Sequence, residues 1–189
     1  VGAGLAVGAA YLFSKNKKNV PVQAELPAPQ MNLKQELVTR MPDMICYDRF
    51  QIVIQPVIDL ATGGIVGGEV LSRMNHPEQG VIFPDKFLPA VDEAGLYPKF
   101  DHYIFRKTCE LMKRLSGENV VLQYISCNFS RKTLSEKEVA ARLSQIADTY
   151  GVPHDRLAVE ITEREQETDT EQFCLNLQQI KEAGFRIFV

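Results

Sequence analysis

Residues 120–130 (VVLQYISCNFS), a helical run over 133–150 and residues 157–164 (LAVEITER) together decide the fold class. The two outer segments are rich in β-branched and apolar residues. The middle one places Val139, Leu143, Ile146 and Ala147 on one helical face and stops at Gly151. Strand, helix, strand at this spacing predicts parallel strands with the crossover helix packed outside them.

The alternation extends in both directions. Downstream, 168–183 reads as a helix and 186–189 begins another strand. Upstream, FQIVIQPVIDL (50–60) and IVGGEVLSR (65–73) flank the turn Ala61-Thr62-Gly63-Gly64, close enough to pair with each other. Between them and residue 120, the stretch 84–116 carries helical periodicity in Phe87, Ala90, Val91 and Ala94, then in Ile104, Cys109, Leu111, Met112 and Leu115. A doubly wound sheet and a (β/α)8 barrel both satisfy this order. No G-x-G-x-x-G follows the first strand, which counts against a dinucleotide-binding sheet.

At 189 residues, the chain holds one globular domain and a terminal segment. Its net charge is −3 and no five like charges run together, so a broad nucleic-acid surface is not expected. A small phosphodiester, needing only a few placed cations, is compatible. Cys46, Cys109, Cys127 and Cys174 form no C-x-x-C pair and read as buried free thiols of a reducing compartment. His76, His102 and His154 lack zinc-ligand spacing.

Residues 1–14 are small and apolar until Ser14, and Lys15, Lys17 and Lys18 follow at once. They read better as the C-terminal part of a transmembrane helix than as a signal peptide or a core helix, with the lysines marking the cytoplasmic side. Residues 15–32, interrupted by Pro21, Pro27 and Pro29, are the expected linker, and 33–189 the domain. The expected location is therefore cytoplasmic, anchored to the inner membrane.

Three strands carry an oxygen-bearing residue near the carboxyl end, where parallel α/β folds gather their chemistry: Glu69, Asn128 and Glu160. An uncompensated interior carboxylate costs several kcal/mol, roughly. Either each residue is separately solvated, or the three share a hard divalent cation such as Mg²⁺ or Mn²⁺. Gln55 stands before Pro56 near the end of the first strand. Arg73, four residues after Glu69, falls on the same strand face. Arg73 could grip a phosphate through two parallel hydrogen bonds or pair with Glu69 or Asp59.

These residues are also where the chain resembles the EAL domain family. Gln55-Pro56-Val57-Ile58-Asp59 resembles its Y-Q-P-I-V-D, and Gly68-Glu69-Val70-Leu71-Ser72-Arg73 its signature G-x-E-A-L-x-R. His76-Pro77, Gly80, Pro84, Phe87 and Pro89 resemble H-P-x-x-G-x-x-x-P-x-x-F-I-P. Asn128-Phe129-Ser130 resembles N-x-S, and Glu160-Ile161-Thr162-Glu163 resembles E-x-T-E. Val70 stands in place of the signature's alanine, and Ile54 in place of a tyrosine.

The resemblance implies an α/β fold, a (β/α)8 TIM-type barrel with an antiparallel first strand, of which this chain would supply only part. It implies metal-dependent hydrolysis of cyclic di-GMP to linear pGpG in bacterial second-messenger signalling. Glu69, Asn128 and Glu160 would be metal ligands of a two-metal Mg²⁺ or Mn²⁺ site, and Gln55, Leu71 and Arg73 would contact substrate. A receptor domain that holds cyclic di-GMP without cleaving it stays open as the alternative. A membrane tether and a homodimer of the complete protein stay open as partners. The family's Asp-Asp-Phe-Gly motif would begin just after Val189, and its later lysine and glutamate lie further on. The 189-residue polypeptide alone is therefore expected to be inactive; metal-dependent release of pGpG by the purified chain would contradict this.

Overall fold

The computed structural model describes residues 32–118, 120, 122–161 and 171–189. The segment read as a membrane helix, nearly all of the linker, and Thr162 and Glu163 lie outside the described residues. Among the described residues, no helix is long and apolar enough to cross a membrane. Leu33–Val189 forms one compact unit.

Its centre is a mixed sheet. Strand β1 (Phe50–Ile58) pairs antiparallel with β2 (Ile65–His76), as the short turn between them requires. Asp59 fixes that turn: its Oδ1 accepts the Ala61 and Thr62 N–H groups at 2.7 and 3.3 Å. Strands β4 (Tyr124–Phe129), β5 (Leu157–Ile161) and β6 (Arg186–Phe188) then add in parallel, giving the order β1-β2-β4-β5-β6.

Strand β2 runs three residues beyond the expected 65–73 because the chain folds back on its end. Strand β3 (Gly80–Ile82) pairs Ile82 with Met74 and Gly80 with His76. His76 clamps this hairpin. Its Nδ1 accepts from the Glu78 and Gln79 N–H groups at 3.2 and 3.1 Å, and its Nε2 lies 3.2 Å from Glu36. Glu36 belongs to α1 (Leu33–Cys46), a helix that the sequence reading did not assign. Its buried stripe is only Leu37, Met41, Met44 and Ile45, and Pro42 interrupts the pattern.

The stretch 84–116 resolves into α2 (Pro84–Glu93) and α3 (Tyr97–Gly117), separated by Gly95 at φ +66°. The expected helix at 133–150 is also divided. A single turn, α4 (Arg131–Leu134), is capped by Ser130, whose Oγ accepts the Thr133 N–H at 3.2 Å. The chain then leaves helical geometry, with Glu138 at φ +61°, before α5 (Val139–Tyr150). Helix α6 (Glu171–Glu182) leads into β6.

Helices cover one face of the sheet. Val70, Met74, Ile125, Cys127, Phe129, Leu157 and Val159 alternate along β2, β4 and β5 and are all buried. Phe50, Phe87 and Phe100 meet edge to face, as do Phe105 and Phe129, so aromatic rings fill the gap between layers. All four cysteines are free, but only Cys109 and Cys127 are buried; Cys46 and Cys174 are exposed. The expectation of four buried thiols is corrected here: Cys46 ends its helix and Cys174 sits beside the buried stripe of α6, which uses Phe173, Asn176 and Ile180. Burial raises the Cys109 and Cys127 thiols to about 12, which keeps them protonated.

Two stability tests follow from this packing. A Cβ on Gly68 would collide with the Ile54 side chain and lie 3.1 Å from the Gln55 carbonyl oxygen. Gly68→Ala is expected to lower unfolding free energy by about 1–3 kcal/mol in urea titration. Gly117→Ala, where a Cβ meets nothing, serves as the neutral control.

The second test is acid. His102 on α3 is 8% exposed, and neither ring nitrogen makes a hydrogen bond; Glu136 Oε2 stands 3.5 Å from Nε2. Burial first, and the Arg142 charge second, lower its pKa to about 4. The unfolded chain binds this proton near pH 6.5, so stability is complete above that value and falls as pH drops towards 4. The loss is at most about 3 kcal/mol. His102→Leu is expected to remove this component from the pH profile of urea midpoints.

Candidate functional site

The face opposite the helices carries the polar positions. Because Val70, Cys127 and Val159 point into the helical layer, their neighbours Glu69, Asn128 and Glu160 point to the other side. Register then sets their heights. Asn128 pairs with Glu160 across β4 and β5, and Glu69 pairs with Ser126, one pleat below Asn128. The Asn128 Nδ2 donates to Glu69 Oε1 at 2.6 Å. All three side chains line one cavity of about 850 Å³ at the carboxyl ends of the parallel strands. Leu71 lines it too.

Gln55 and Arg73 stand on the same face but outside the cavity wall. Gln55 pairs directly with Glu69 across the β1–β2 ladder and is exposed. Arg73 is half-buried, two residues beyond Leu71. Neither carboxylate considered for it is its partner: Asp59 accepts from the turn amides, and Glu69 accepts from Asn128. Arg73 Nη1 instead donates to the Ser72 carbonyl at 2.8 Å, and its guanidinium lies 4.7 Å from the Phe83 ring centroid.

The cavity reaches over the carboxyl-terminal edge of the strands to α2 and α3, which contribute Pro89, Asp92, Tyr97 and Asp101. Sequence reasoning passed over Asp101. It is 5% exposed, and its Oδ2 accepts from the Ser130 N–H at 2.9 Å and the Thr133 hydroxyl at 2.5 Å. Asp101 thereby braces the turn after β4 that carries Ser130 into the cavity. The available signal was a carboxylate inside the apolar run Phe100, Ile104, Phe105. At the rim, Lys132 Nζ pairs with Asp92 Oδ1 at 2.5 Å, tying α4 to α2.

The three central residues offer two carboxylates and an amide. Oxygen donors of this kind suit a hard cation with water completing its shell. Among the described residues, no group of three or more His, Cys, Asp or Glu side chains is placed to hold a metal ion. The amide of Asn128 is what such a set needs as its third donor.

The family model for the EAL domain matches residues 39–189. The chain is 31% identical over 142 residues to the probable cyclic di-GMP phosphodiesterase PdeI of Escherichia coli, covering 73% of this chain and 18% of that protein. It is 29% identical over 150 residues to the probable cyclic di-GMP phosphodiesterase PdeB of the same organism, covering 79% of this chain and 29% of that one. The chain thus spans less than a third of the length of either relative. Its fold matches the Xanthomonas citri FimX EAL domain, solved in complex with c-diGMP, at a TM-score of 0.71 and 15% identity. That match covers 82% of this chain and 59% of the other. A match over four-fifths of the residues, with the signature Glu69 to Arg73 on the strand where the cavity opens, leads to one conclusion: the chain belongs to the EAL domain family.

Proposed function

We propose that this domain binds cyclic di-GMP in the cavity at the carboxyl ends of β2, β4 and β5, as part of a phosphodiesterase that hydrolyses it to linear pGpG. The observation that carries this reading is the convergence of Glu69, Asn128 and Glu160 on one cavity, with Arg73 on the same sheet face. At about 850 Å³, the cavity falls within the range of small-ligand sites.

Glu69, Asn128 and Glu160 would hold a divalent cation, Mg²⁺ or Mn²⁺. Such an ion, when bound, acidifies a coordinated water and stabilises charge on phosphate oxygens. The chain's own residues do the rest. Arg73 directs planar N–H donors at a phosphate, as a guanidinium does better than an ammonium. Leu71 offers an apolar contact in the cavity wall. Gln55 supplies an amide, donor and acceptor together, beside Glu69. Asp101 holds Ser130 and Thr133 in place behind them. Residues 1–14 would tether the domain to the membrane. Both named relatives bear the designation of cyclic di-GMP phosphodiesterase, which supports the same substrate here.

The test is calorimetric titration of the 189-residue chain with cyclic di-GMP, with and without Mg²⁺ or Mn²⁺. Binding is expected, and Arg73→Ala is expected to weaken it about 10-fold or more, the loss of one charge-assisted phosphate contact. Glu69→Ala is expected to abolish the metal dependence. Unchanged binding in both variants would remove the site from this cavity.

A further inference from the structure

Phe83 lies where the hairpin register aims it. Strands β2 and β3 pair Met74 with Ile82 and Asn75 with Val81. One more step of that ladder sets residue 83 against Arg73. Phe83 keeps extended geometry there, with φ −86° and ψ 161°, before Pro84 begins α2. Cross-strand partners share a face, so its ring falls on the face that carries Glu69, Leu71 and Arg73. The contact is made: the Arg73 guanidinium carbon is 4.7 Å from the ring centroid. Phe83 is also 54% exposed, so this large ring is not there to fill the core.

We propose that Phe83 is a positioning residue of this site, holding the Arg73 guanidinium by its face so that its in-plane N–H groups are kept for a phosphate. A cation over a ring uses the guanidinium's π-face and leaves its donor edges unspent. The Ser72 carbonyl takes one of those donors, on Nη1. Ring and carbonyl together restrict an otherwise mobile side chain, which lowers the ordering cost of gripping the ligand. Among the described residues no carboxylate pairs with Arg73, so these two contacts are what orient it.

The inference rests on the proposed cyclic di-GMP site and is tested beside it. In titrations of the 189-residue chain, Phe83→Leu is expected to weaken cyclic di-GMP binding about 3- to 30-fold, while Phe83→Tyr stays within about two-fold of wild type. In an Arg73→Ala background, Phe83→Leu is expected to add no further loss. Without ligand, the Arg73 Nε–Hε resonance, displaced by ring current in wild type, is expected to move to its unperturbed position in Phe83→Leu and to stay in Phe83→Tyr. Equal binding by wild type and Phe83→Leu overturns the inference alone. So does the same loss in the Arg73→Ala background, which would mean that the ring touches the ligand directly. No binding by the wild type overturns the functional reading and this inference with it.

Discussion

A sheet covered by helices on one side only imposes a division of labour on every strand. Side chains alternate across it, so each residue that anchors β2, β4 or β5 in the helical layer sends its neighbours to the other face. Val70, Cys127 and Val159 are the anchors, and Glu69, Asn128 and Glu160 are the consequence. The parallel register then brings three residues separated by 91 positions of sequence to one cavity. The hydrogen bond between Asn128 and Glu69 is the local sign that these groups meet.

The close pairing of β1 with β2 serves the same end. Gly68 lets the two strands approach where Ile54 and Gln55 would otherwise obstruct them. That approach sets Gln55 directly across from Glu69. On the far end of β2, His76 ties the β3 hairpin and α1 together, and the hairpin in turn brings Phe83 to Arg73. Residues that look like separate signature positions along the chain are thus parts of one mechanical unit. Its rear support is Asp101, a buried carboxylate that accepts from the Ser130 N–H and the Thr133 hydroxyl.

The family relationship and the geometry contribute different things. Membership of the EAL family rests on matched sequence over most of the chain. What the fold adds is a reason why the signature needs its spacing: Glu69, Leu71 and Arg73 share one face only because they are two apart on a strand. The substitution Val70, lying between them, points into the core at 2% exposed. A larger apolar side chain there changes packing under the site and leaves the polar face as it was.

Much was legible in sequence because it depends on local period. Strand alternation and helical stripes announced the α/β order, and Glu69, Asn128 and Glu160 stood out as polar residues in apolar runs. The turn at Ala61-Thr62-Gly63-Gly64 and the stop at Gly151 were equally local. What local period cannot carry is register across strands and the partner chosen by a side chain with several options. Whether Arg73 met Asp59, Glu69 or an aromatic ring depended on a hairpin whose second strand is three residues long, too short to show a pattern. The single turn Arg131–Leu134 that precedes the longer helix is held at its start by Asp101, 29 positions before Ser130 and 32 before Thr133. Sequence alone determined which residues face which way along each element; only tertiary structure decided which of them touch, because contact between distant segments is set by pairing and packing that no single segment contains.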